Sequence, residues 1–297
     1  MTDEIALNNI SLDKLSLPLF TEKNVEVTVL RLDKIHSSIS GNKWFKLRYY
    51  LDEAKKLHKK TIVTFGGAWS NHILATAAIC RLNNIKSIGI IRGEEPAKFS
   101  PTLSHAKEDG MKLIFISRED YAKKKIPEEV LTEENYIINE GGYGLTGAAG
   151  AATILDYCDK ENYTHICCAT GTGTMMAGII NGALIQQNII GISVLKNNLA
   201  VEDAIKSLIS IEKNNYHLFH DYHFGGYAKH KPGLIDFMNS FYQQTKIPSD
   251  FVYTSKLFFA ITSLINNNFF EAGCRLLLIH SGGLQGNASL RKGTLIF

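Results

Sequence analysis

TIVTFGGAWSNHILATAAICRLN, residues 61–83, contains the pattern that decides the fold. Its first five residues form an apolar, β-branched run of the kind found in strands that are covered on both faces. Two glycines then permit a tight turn, and Ser70 or Asn71 can cap a helix. The apolar spacing of residues 71–83 predicts that helix. The stretch therefore predicts a strand–turn–helix unit of an α/β protein.

The same alternation continues on both sides of this unit. Helical patterns also occupy residues 145–158, 174–187 and 199–208. Eight or so strands in a chain of 297 residues suit two sheets better than one. We therefore predict two open, mostly parallel, twisted sheets with helices on both faces. The candidate strands are residues 61–65, 86–92, 112–116, 136–138, 165–168, 189–195, 216–219 and 275–279.

The composition is that of a globular protein, with 45% hydrophobic and 21% charged residues. A net charge of +3, with scattered lysines and arginines, argues against a nucleic-acid partner. No run approaches the roughly 18 apolar residues of a membrane span, and the N-terminal residues lack the pattern of a secretory signal. The five cysteines form no CxxC pair, and no histidines have zinc-site spacing. We therefore expect free thiols, no metal site, no membrane partner and a cytoplasmic location.

Glycine-rich turns follow three further predicted strands, at residues 139–144, 169–174 and 280–283. Ligands of open α/β sheets bind at the carboxyl ends of strands. ATGTGT, residues 169–174, also begins a helix, and helix N-termini favour phosphate. It is neither a Walker loop nor a dinucleotide fingerprint, because no GK[ST] follows and Met176 stands where glycine or alanine is required. Four such turns at strand ends predict one shared cleft rather than four unrelated turns.

Lys43 lies in GNKWFKL, residues 41–47, where a helical pattern begins. A lysine at a helix start is usually solvated. Beside aromatic residues it can instead be desolvated, which lowers its pKa and makes it a Schiff-base nucleophile.

Five motifs carry a family resemblance. They are GNKxxKL (41–47), GGxxSNH (66–72), GTG (171–173), VYTxK (252–256) and HSGG (280–283). In this order and spacing they resemble the D-cysteine desulfhydrase and 1-aminocyclopropane-1-carboxylate (ACC) deaminase family. These are pyridoxal phosphate (PLP) enzymes with a tryptophan-synthase-β-like fold, fold type II. The resemblance extends from about residue 20 to the C-terminus.

The resemblance implies catalytic roles for four residues. Lys43 matches the lysine that binds PLP covalently and then acts as a base near the substrate α-carbon. Ser70 matches a residue at the substrate carboxylate that also takes part in proton transfer. Tyr253 and Tyr227 match two tyrosines that face the substrate.

The resemblance also implies a cofactor site. Asn71 matches the residue that hydrogen-bonds the PLP 3′-oxygen, and Ser281 matches the hydroxyl residue beside the pyridine nitrogen. The phosphate site is implied to be Gly171, Thr172, Gly173 and Thr174.

Hydroxyl residues at Thr254 and Ser281 favour a D-cysteine desulfhydrase, since ACC deaminases tend to have glutamate and an apolar residue there. Two departures, Trp69 for the usual glutamine and Met175 for a common threonine, bear on the substrate and the phosphate site.

The alternatives are an ACC deaminase, a related racemase or dehydratase, a non-catalytic PLP-binding protein, and a protein that binds another phosphate ligand. A cysteine-synthase-like enzyme is disfavoured, because its usual lysine context is absent.

The expected organisation is two α/β domains with the cofactor between them. The larger domain comprises residues 1–44 and 146–297, and the smaller one comprises residues 45–145. The resemblance implies a homodimer that acts on a small amino-acid substrate.

Overall fold

Two β-sheets form the framework of the protein in a computed structural model that describes residues 4–39, 41–211 and 215–297. The strands are β1 (Leu12–Leu15), β2 (Glu26–Arg31), β3 (Thr61–Gly66), β4 (Lys86–Arg92), β5 (Met111–Ile116), β6 (Asn135–Ile138), β7 (His165–Thr170), β8 (Asn188–Ser193), β9 (Tyr216–Phe219) and β10 (Arg275–His280). The α-helices are α1 (Pro18–Glu22), α2 (Asn42–Lys56), α3 (Asn71–Leu82), α4 (Pro101–Glu108), α5 (Arg118–Ala122), α6 (Leu145–Ala152), α7 (Thr174–Gly182), α8 (Ala200–Lys206), α9 (Pro232–Thr245) and α10 (Thr254–Asn266).

The larger sheet has the strand order β1-β2-β10-β7-β8-β9, and the smaller one has the order β5-β4-β3-β6. Only β1 pairs antiparallel among the strands described; the other neighbours are parallel. In parallel pairs the carboxyl ends of neighbouring strands lie at one edge of the sheet, where ligands bind.

Helices cover both faces of the larger sheet. Val27 and Val29 of β2 lie in one apolar core, to which α10 also contributes. Leu30 of the same strand lies in the opposite core, together with residues of α6 and α7. This change of face follows the two-residue period of a strand, and burial on both faces is typical of parallel sheets.

The smaller sheet is likewise covered on both faces, and α2 connects it with the larger one. Val63 and Phe65 pack with Tyr121 of α5 on one face. On the other face, Leu47 of α2 lies in the core that includes residues of β3 and α3. Phe45 of the same helix lies in the core of the larger sheet. Helix α2 is therefore packed into both halves of the molecule.

The predicted fold class is confirmed, although the predicted elements differ in detail. Strands β1 and β2 are absent from the prediction. Strand β1 buries only Leu15. In β2 buried and less buried residues alternate only as far as Val29, because Leu30 and Arg31 are both buried. Neither strand therefore has a sustained two-residue alternation that the sequence could reveal. The helix predicted over residues 174–187 ends at Gly182, because Ala183 adopts an extended backbone conformation.

The helix predicted over residues 145–158 also ends early, and a 3-10 helix, Thr153–Tyr157, follows α6. The domain boundaries stay a prediction; the one at residues 44–45 falls inside α2. In the described part of the chain, every helix is too short or too polar to cross a membrane.

Candidate active site

A cavity of about 680 Å³ lies at the carboxyl ends of β3, β6, β7 and β10, and all four glycine-rich turns contribute to its wall. The structure thus brings together turns that lie far apart in the sequence. It also brings nine of the ten predicted site residues into the lining: Lys43, Ser70, Asn71, Gly171, Thr172, Gly173, Tyr227, Tyr253 and Ser281. Thr174 is the exception: it is fully buried, and its Oγ1 lies 3.2 Å from Oγ1 of Thr172.

Lys43 is the second residue of α2 and points into this cavity. Its Nζ donates a hydrogen bond of 3.0 Å to Oδ1 of Asn42 and lies 5.8 Å from the centre of the Tyr253 ring. Burial lowers the pKa of Lys43 from 10.5 to about 8, although the carboxylate of Asp250 acts in the opposite direction. At pH 7 about one such amine in ten is neutral, far more than for an ordinary lysine, so Lys43 is suited to nucleophilic chemistry.

Lys46, one turn further along α2, is a second buried amine. Its Nζ donates a hydrogen bond of 3.2 Å to the carbonyl oxygen of Gly141. Burial and the nearby Lys43 lower the pKa of Lys46 well below its ordinary value. Lys46 belongs to the GNKxxKL motif, which predicts no role for it.

His72 of α3 is buried against the smaller sheet, and its Nε2 takes part in a hydrogen bond. Thr64 Oγ1 donates to the carbonyl oxygen of Ile138 at 2.9 Å and lies 2.8 Å from Nε2 of His72. Because the hydroxyl hydrogen of Thr64 is engaged by Ile138, the second hydrogen bond of Thr64 must be one that it accepts. Nε2 of His72 is therefore protonated and donates that hydrogen bond. Burial and the charges of Lys43 and Lys46 lower the pKa of His72 well below its ordinary value, so the ring is neutral.

The predicted phosphate turn connects β7 to α7. Gly173 has φ +83°, and a Cβ atom there would lie 2.8 Å from Cγ1 of Ile205, so this position requires glycine. Gly171 packs against Tyr253, where a Cβ atom would lie 3.3 Å from Cε1 of the ring. The turn leads directly into α7, whose first N–H groups have no partner within the helix. This arrangement suits an anion.

Met175, a departure from the resembled family, lines the cavity beside this turn. Its Sδ accepts a hydrogen bond of 3.1 Å from Nδ2 of Asn42, the residue that also accepts from Lys43. Met175 therefore contributes to holding the lysine in place.

Polar side chains from two other turns complete the predicted cofactor site. Ser70 is the N-cap of α3, and its Oγ accepts a hydrogen bond of 3.3 Å from the N–H of Ile73. Asn71 lines the cavity, and its buried Oδ1 has no hydrogen-bond partner among the described residues. Ser281 is 8% exposed and lines the cavity from the turn after β10. A buried amide atom without a partner indicates that a polar ligand belongs here.

Tyr227 and Tyr253 form an aromatic pair at the cavity, with ring centres 6.1 Å apart. Burial raises the pKa of both phenols, and the neighbouring Tyr227 raises that of Tyr253 further. Asp250 holds Tyr253 in place, since its oxygens accept hydrogen bonds from the N–H groups of Val252, Tyr253 and Thr254 at 2.9 Å each and from Oγ1 of Thr254 at 2.7 Å. An aspartate shortly before a helix start is a capping signal, so this residue was recognisable from the sequence.

Lys256 supports the loop of Tyr227. It is fully buried, and its Nζ donates a hydrogen bond of 2.8 Å to the carbonyl oxygen of Gly226. Burial lowers the pKa of Lys256 to about 8, again opposed by the charge of Asp250. Because its partner lies thirty positions away, this role has no local sequence signal.

The chain is similar to curated proteins over most of its length, although no protein-family model matches it. It is 28% identical over 293 residues to a putative 1-aminocyclopropane-1-carboxylate deaminase of Pyrococcus abyssi, which covers 89% of this chain and 86% of that protein. It is also 28% identical over 297 residues to a mitochondrial bifunctional D-cysteine desulfhydrase/1-aminocyclopropane-1-carboxylate deaminase of Arabidopsis thaliana, with coverages of 88% and 73%.

Solved structures show the same likeness. An ACC deaminase homologue superposes with a TM-score of 0.82 at 26% identity and covers 96% of this chain and 92% of its own. An O-acetylserine dependent cystathionine β-synthase from Helicobacter pylori shares the fold, with a TM-score of 0.66 at 15% identity and coverages of 96% and 96%. The resemblance to D-cysteine desulfhydrases and ACC deaminases, and with it fold type II, is therefore confirmed.

Proposed function

We propose, on the basis of this resemblance and of the cavity, that the protein is a PLP-dependent lyase acting on a small amino acid. The observation that carries the proposal is the position of Lys43. This amine has a pKa of about 8, and it lies in a cavity beside the glycine-rich turn at the start of α7 and a tyrosine pair. Few functions other than covalent cofactor chemistry require that combination.

The side chains of the cavity fit PLP in charge and hydrogen-bonding character. The turn of Gly171, Thr172 and Gly173 at the start of α7 suits the phosphate. The amide of Asn71, which has a buried atom without a partner among the described residues, suits the ring oxygen. Ser281 suits the pyridine nitrogen, and Lys43 would hold the cofactor covalently. When bound, PLP supplies the electron sink that makes the substrate α-proton acidic.

The protein's own residues then direct the reaction. Lys43 Nζ would serve as the base that accepts the proton from the substrate α-carbon. Ser70 binds the substrate carboxylate from the start of α3 and takes part in proton transfer. The phenols of Tyr253 and Tyr227 stay protonated at neutral pH, because their pKa values are raised, so each can donate a proton to a leaving group. A serine hydroxyl at the pyridine nitrogen cannot protonate it fully, which favours elimination over transamination.

The preferred reaction is the elimination of hydrogen sulfide from D-cysteine. The α-proton is removed, the bond between Cβ and sulfur breaks, and hydrolysis of the remaining enamine yields pyruvate and ammonia. The hydroxyl residues Thr254 and Ser281 support this reaction. Thr254 is fully buried behind Tyr253, and its Oγ1 donates a hydrogen bond to Asp250.

ACC deamination is the second candidate, in which ring opening gives 2-oxobutanoate and ammonia. It is favoured by the relative from Pyrococcus abyssi and the structure of an ACC deaminase homologue, whose names carry that activity.

The experiment compares the purified protein with a Lys43→Ala variant, before and after borohydride, with Lys98→Ala as a control at an exposed lysine. A lysine-bound PLP absorbs at about 410–420 nm. The wild type and the control should show the band, and Lys43→Ala should lack it. D-cysteine, L-cysteine and ACC are then supplied in turn while sulfide, ammonia and keto acid are measured. A wild type without the band after addition of PLP would overturn the proposal and leave another phosphate ligand as the alternative.

We further propose that the enzyme is a cytoplasmic homodimer. The cysteines Cys80, Cys158, Cys167, Cys168 and Cys274 are all free thiols, as is usual in a reducing compartment. The family resemblance supports the dimer, and light scattering of the holoenzyme measures its mass directly.

A further inference from the structure

We propose that the substrate is an S-substituted cysteine whose sulfur carries an aromatic group, and that a recess beside the active-site cavity binds this group. The inference rests on the proposed function, because it specifies the leaving group of the same elimination. The recess has a volume of about 310 Å³ and adjoins the larger cavity. The residues that line both spaces are Trp69, Asn71, Tyr227 and Ala228.

The recess is aromatic and carries no charge. Phe251 and Leu290 contribute apolar surface to it, and the ring of His230 lies edge-on to that of Phe251, with centres 5.5 Å apart. Within the described part of the chain, none of its lining residues is a carboxylate, a lysine or an arginine. Because aromatic rings prefer edge-to-face or offset contacts with other rings, such a lining suits a flat, uncharged ring.

Two large rings stand exposed where the recess meets the cavity. Trp69 and Tyr227 are 39% and 40% exposed. Exposed aromatic surface around a concave site is typical of a place where a ligand binds. Trp69 directly precedes Ser70, which we place at the substrate carboxylate, and it stands where the resembled family usually has glutamine. The indole therefore adds apolar surface next to the proposed substrate position.

Tyr227 connects the recess to the proposed chemistry. Its phenol is a proposed proton donor to the leaving group, and its ring lines both spaces. A leaving group that takes this proton lies at their junction, so a substituent on its sulfur extends into one space or the other. The larger cavity is lined by charged side chains such as Lys43 and Lys46, whereas the recess buries an apolar group without desolvating a charge.

The floor of the recess is held in place and leaves space for a ring. Asn287, in the 3-10 helix Leu284–Ser289, accepts a hydrogen bond of 3.1 Å from the N–H of Phe251 and donates one of 3.0 Å to the carbonyl oxygen of Ser249. Gly286 of the same helix lines the recess, and no atom lies within 4 Å of a Cβ atom built there. Since an apolar cavity of about 150 Å³ can hold benzene, a recess of about 310 Å³ is large enough for a benzyl group.

The reaction is the proposed elimination with a thiol as the product in place of hydrogen sulfide. Lys43 Nζ accepts the α-proton, and the bond between Cβ and sulfur breaks with its electron pair passing to sulfur. The phenol of Tyr227 protonates the leaving thiolate and regains its proton from water. Water also hydrolyses the enamine, so the net reaction consumes one water and releases the thiol, pyruvate and ammonia. No oxidant or reductant is needed.

The first measurement compares turnover of two thioethers. The holoenzyme is supplied with both enantiomers of S-benzylcysteine and of S-methylcysteine, and pyruvate is measured. We expect kcat/KM to be at least about tenfold higher for one enantiomer of S-benzylcysteine than for the matching S-methylcysteine, equivalent to about 1.4 kcal/mol. Gly286→Leu fills the recess, so this ratio should fall below about threefold. Gly233→Leu adds the same side chain to α9, where a Cβ atom also has open space, and should retain the wild-type ratio.

The second measurement detects binding without turnover. β-(Benzylthio)propanoic acid and β-(methylthio)propanoic acid contain the carboxylate and the thioether but no amine. By calorimetry the benzyl compound should bind the holoenzyme at least about tenfold more tightly than the methyl compound. It should also change the tryptophan fluorescence, because Trp69 is one of only two tryptophans. In Trp69→Phe, where Trp44 alone remains, this change should disappear.

The thermal unfolding midpoint of each variant shows whether it is folded. Equal turnover and equal binding of the benzyl and methyl compounds, or an unchanged ratio in folded Gly286→Leu, would overturn the inference and leave the proposed elimination from cysteine intact. If the band at about 410–420 nm is absent while the benzyl compound still binds and Gly286→Leu prevents that binding, the recess stands and the proposed chemistry fails.

Discussion

Gly41 approaches Ser281 so closely that a Cβ atom on Gly41 would overlap the carbonyl oxygen of Ser281. The same oxygen accepts a hydrogen bond of 3.2 Å from the N–H of Asn42. This contact joins the start of α2, and hence Lys43, to the turn after β10. Backbone atoms therefore fix the position of Lys43, which we propose to bind the cofactor covalently, relative to Ser281, which we propose to lie at its pyridine nitrogen.

The first prediction is that Gly41→Ala destabilises the protein. Gly41 has φ +65°, and the new methyl group has no space, so we expect a loss of at least about 3 kcal/mol in the free energy of unfolding. Gly233→Ala is the matched control, because no atom lies within 4 Å of a Cβ there and the residue is in α9; its effect should stay within about 1 kcal/mol. Urea unfolding measures the free energy of unfolding of both variants, and equal values for the two would contradict the prediction.

The second prediction concerns the pH dependence of cofactor attachment. Only the neutral amine of Lys43 attacks the aldehyde, and its pKa is about 8. Below pH 8 the neutral fraction increases about tenfold per pH unit, so the rate of covalent attachment of PLP to the apoprotein should increase equally and level off above pH 8. Stopped-flow absorbance measures the rate. A plateau reached only near pH 10.5, the ordinary lysine value, would show that Lys43 is solvated.

The third prediction uses Lys256 and the pH dependence of stability. Its folded-state pKa of about 8 lies below the ordinary 10.5. Between these values the unfolded chain binds more protons than the folded one, so the stability contribution of Lys256 increases as the pH is raised. The free energy of unfolding of the wild type minus that of Lys256→Met should therefore increase by about 2 kcal/mol from pH 8 to 10.5.

Lys98→Met, at an exposed lysine, is the matched control for the loss of a lysine side chain. A difference for Lys256→Met that stays constant from pH 8 to 10.5 would mean that Lys256 stays charged in the folded protein.

The fourth prediction is that Asp250→Asn impairs both stability and catalysis. The carboxylate accepts four hydrogen bonds, and the amide group of asparagine would direct N–H bonds toward N–H donors. We expect a loss of about 2–4 kcal/mol in the free energy of unfolding. Because Tyr253 depends on this cap, kcat should decrease as well. Asp52→Asn, at an exposed position of α2, should change neither quantity measurably.

The strands of the parallel sheets were predictable, because burial on both faces leaves a continuous apolar run. Lys86–Arg92 and Tyr216–Phe219 match the predicted bounds, and most of the others differ by one or two residues at an end. β2 was not predictable by the same criterion, since Glu26–Arg31 shows neither a continuous run nor a sustained alternation.

The site was predictable where a residue belongs to a local motif and not where its partner is distant. Lys43 and Ser70 stand in motifs, and the structure places both at the cavity. Lys256 also belongs to a motif, but its hydrogen bond to Gly226 is a contact between distant parts of the chain that the motif does not specify.

Helix α2 has a mechanical consequence for the enzyme. Phe45 is packed into the core of one sheet and Leu47 into the core of the other, and Lys43 is two positions before the first of these anchors. A rotation of the smaller sheet toward the larger one must therefore turn the helix, and the amine turns with it. Any closure of the two halves on a substrate is therefore coupled, through helix α2, to the orientation of Lys43, the proposed base.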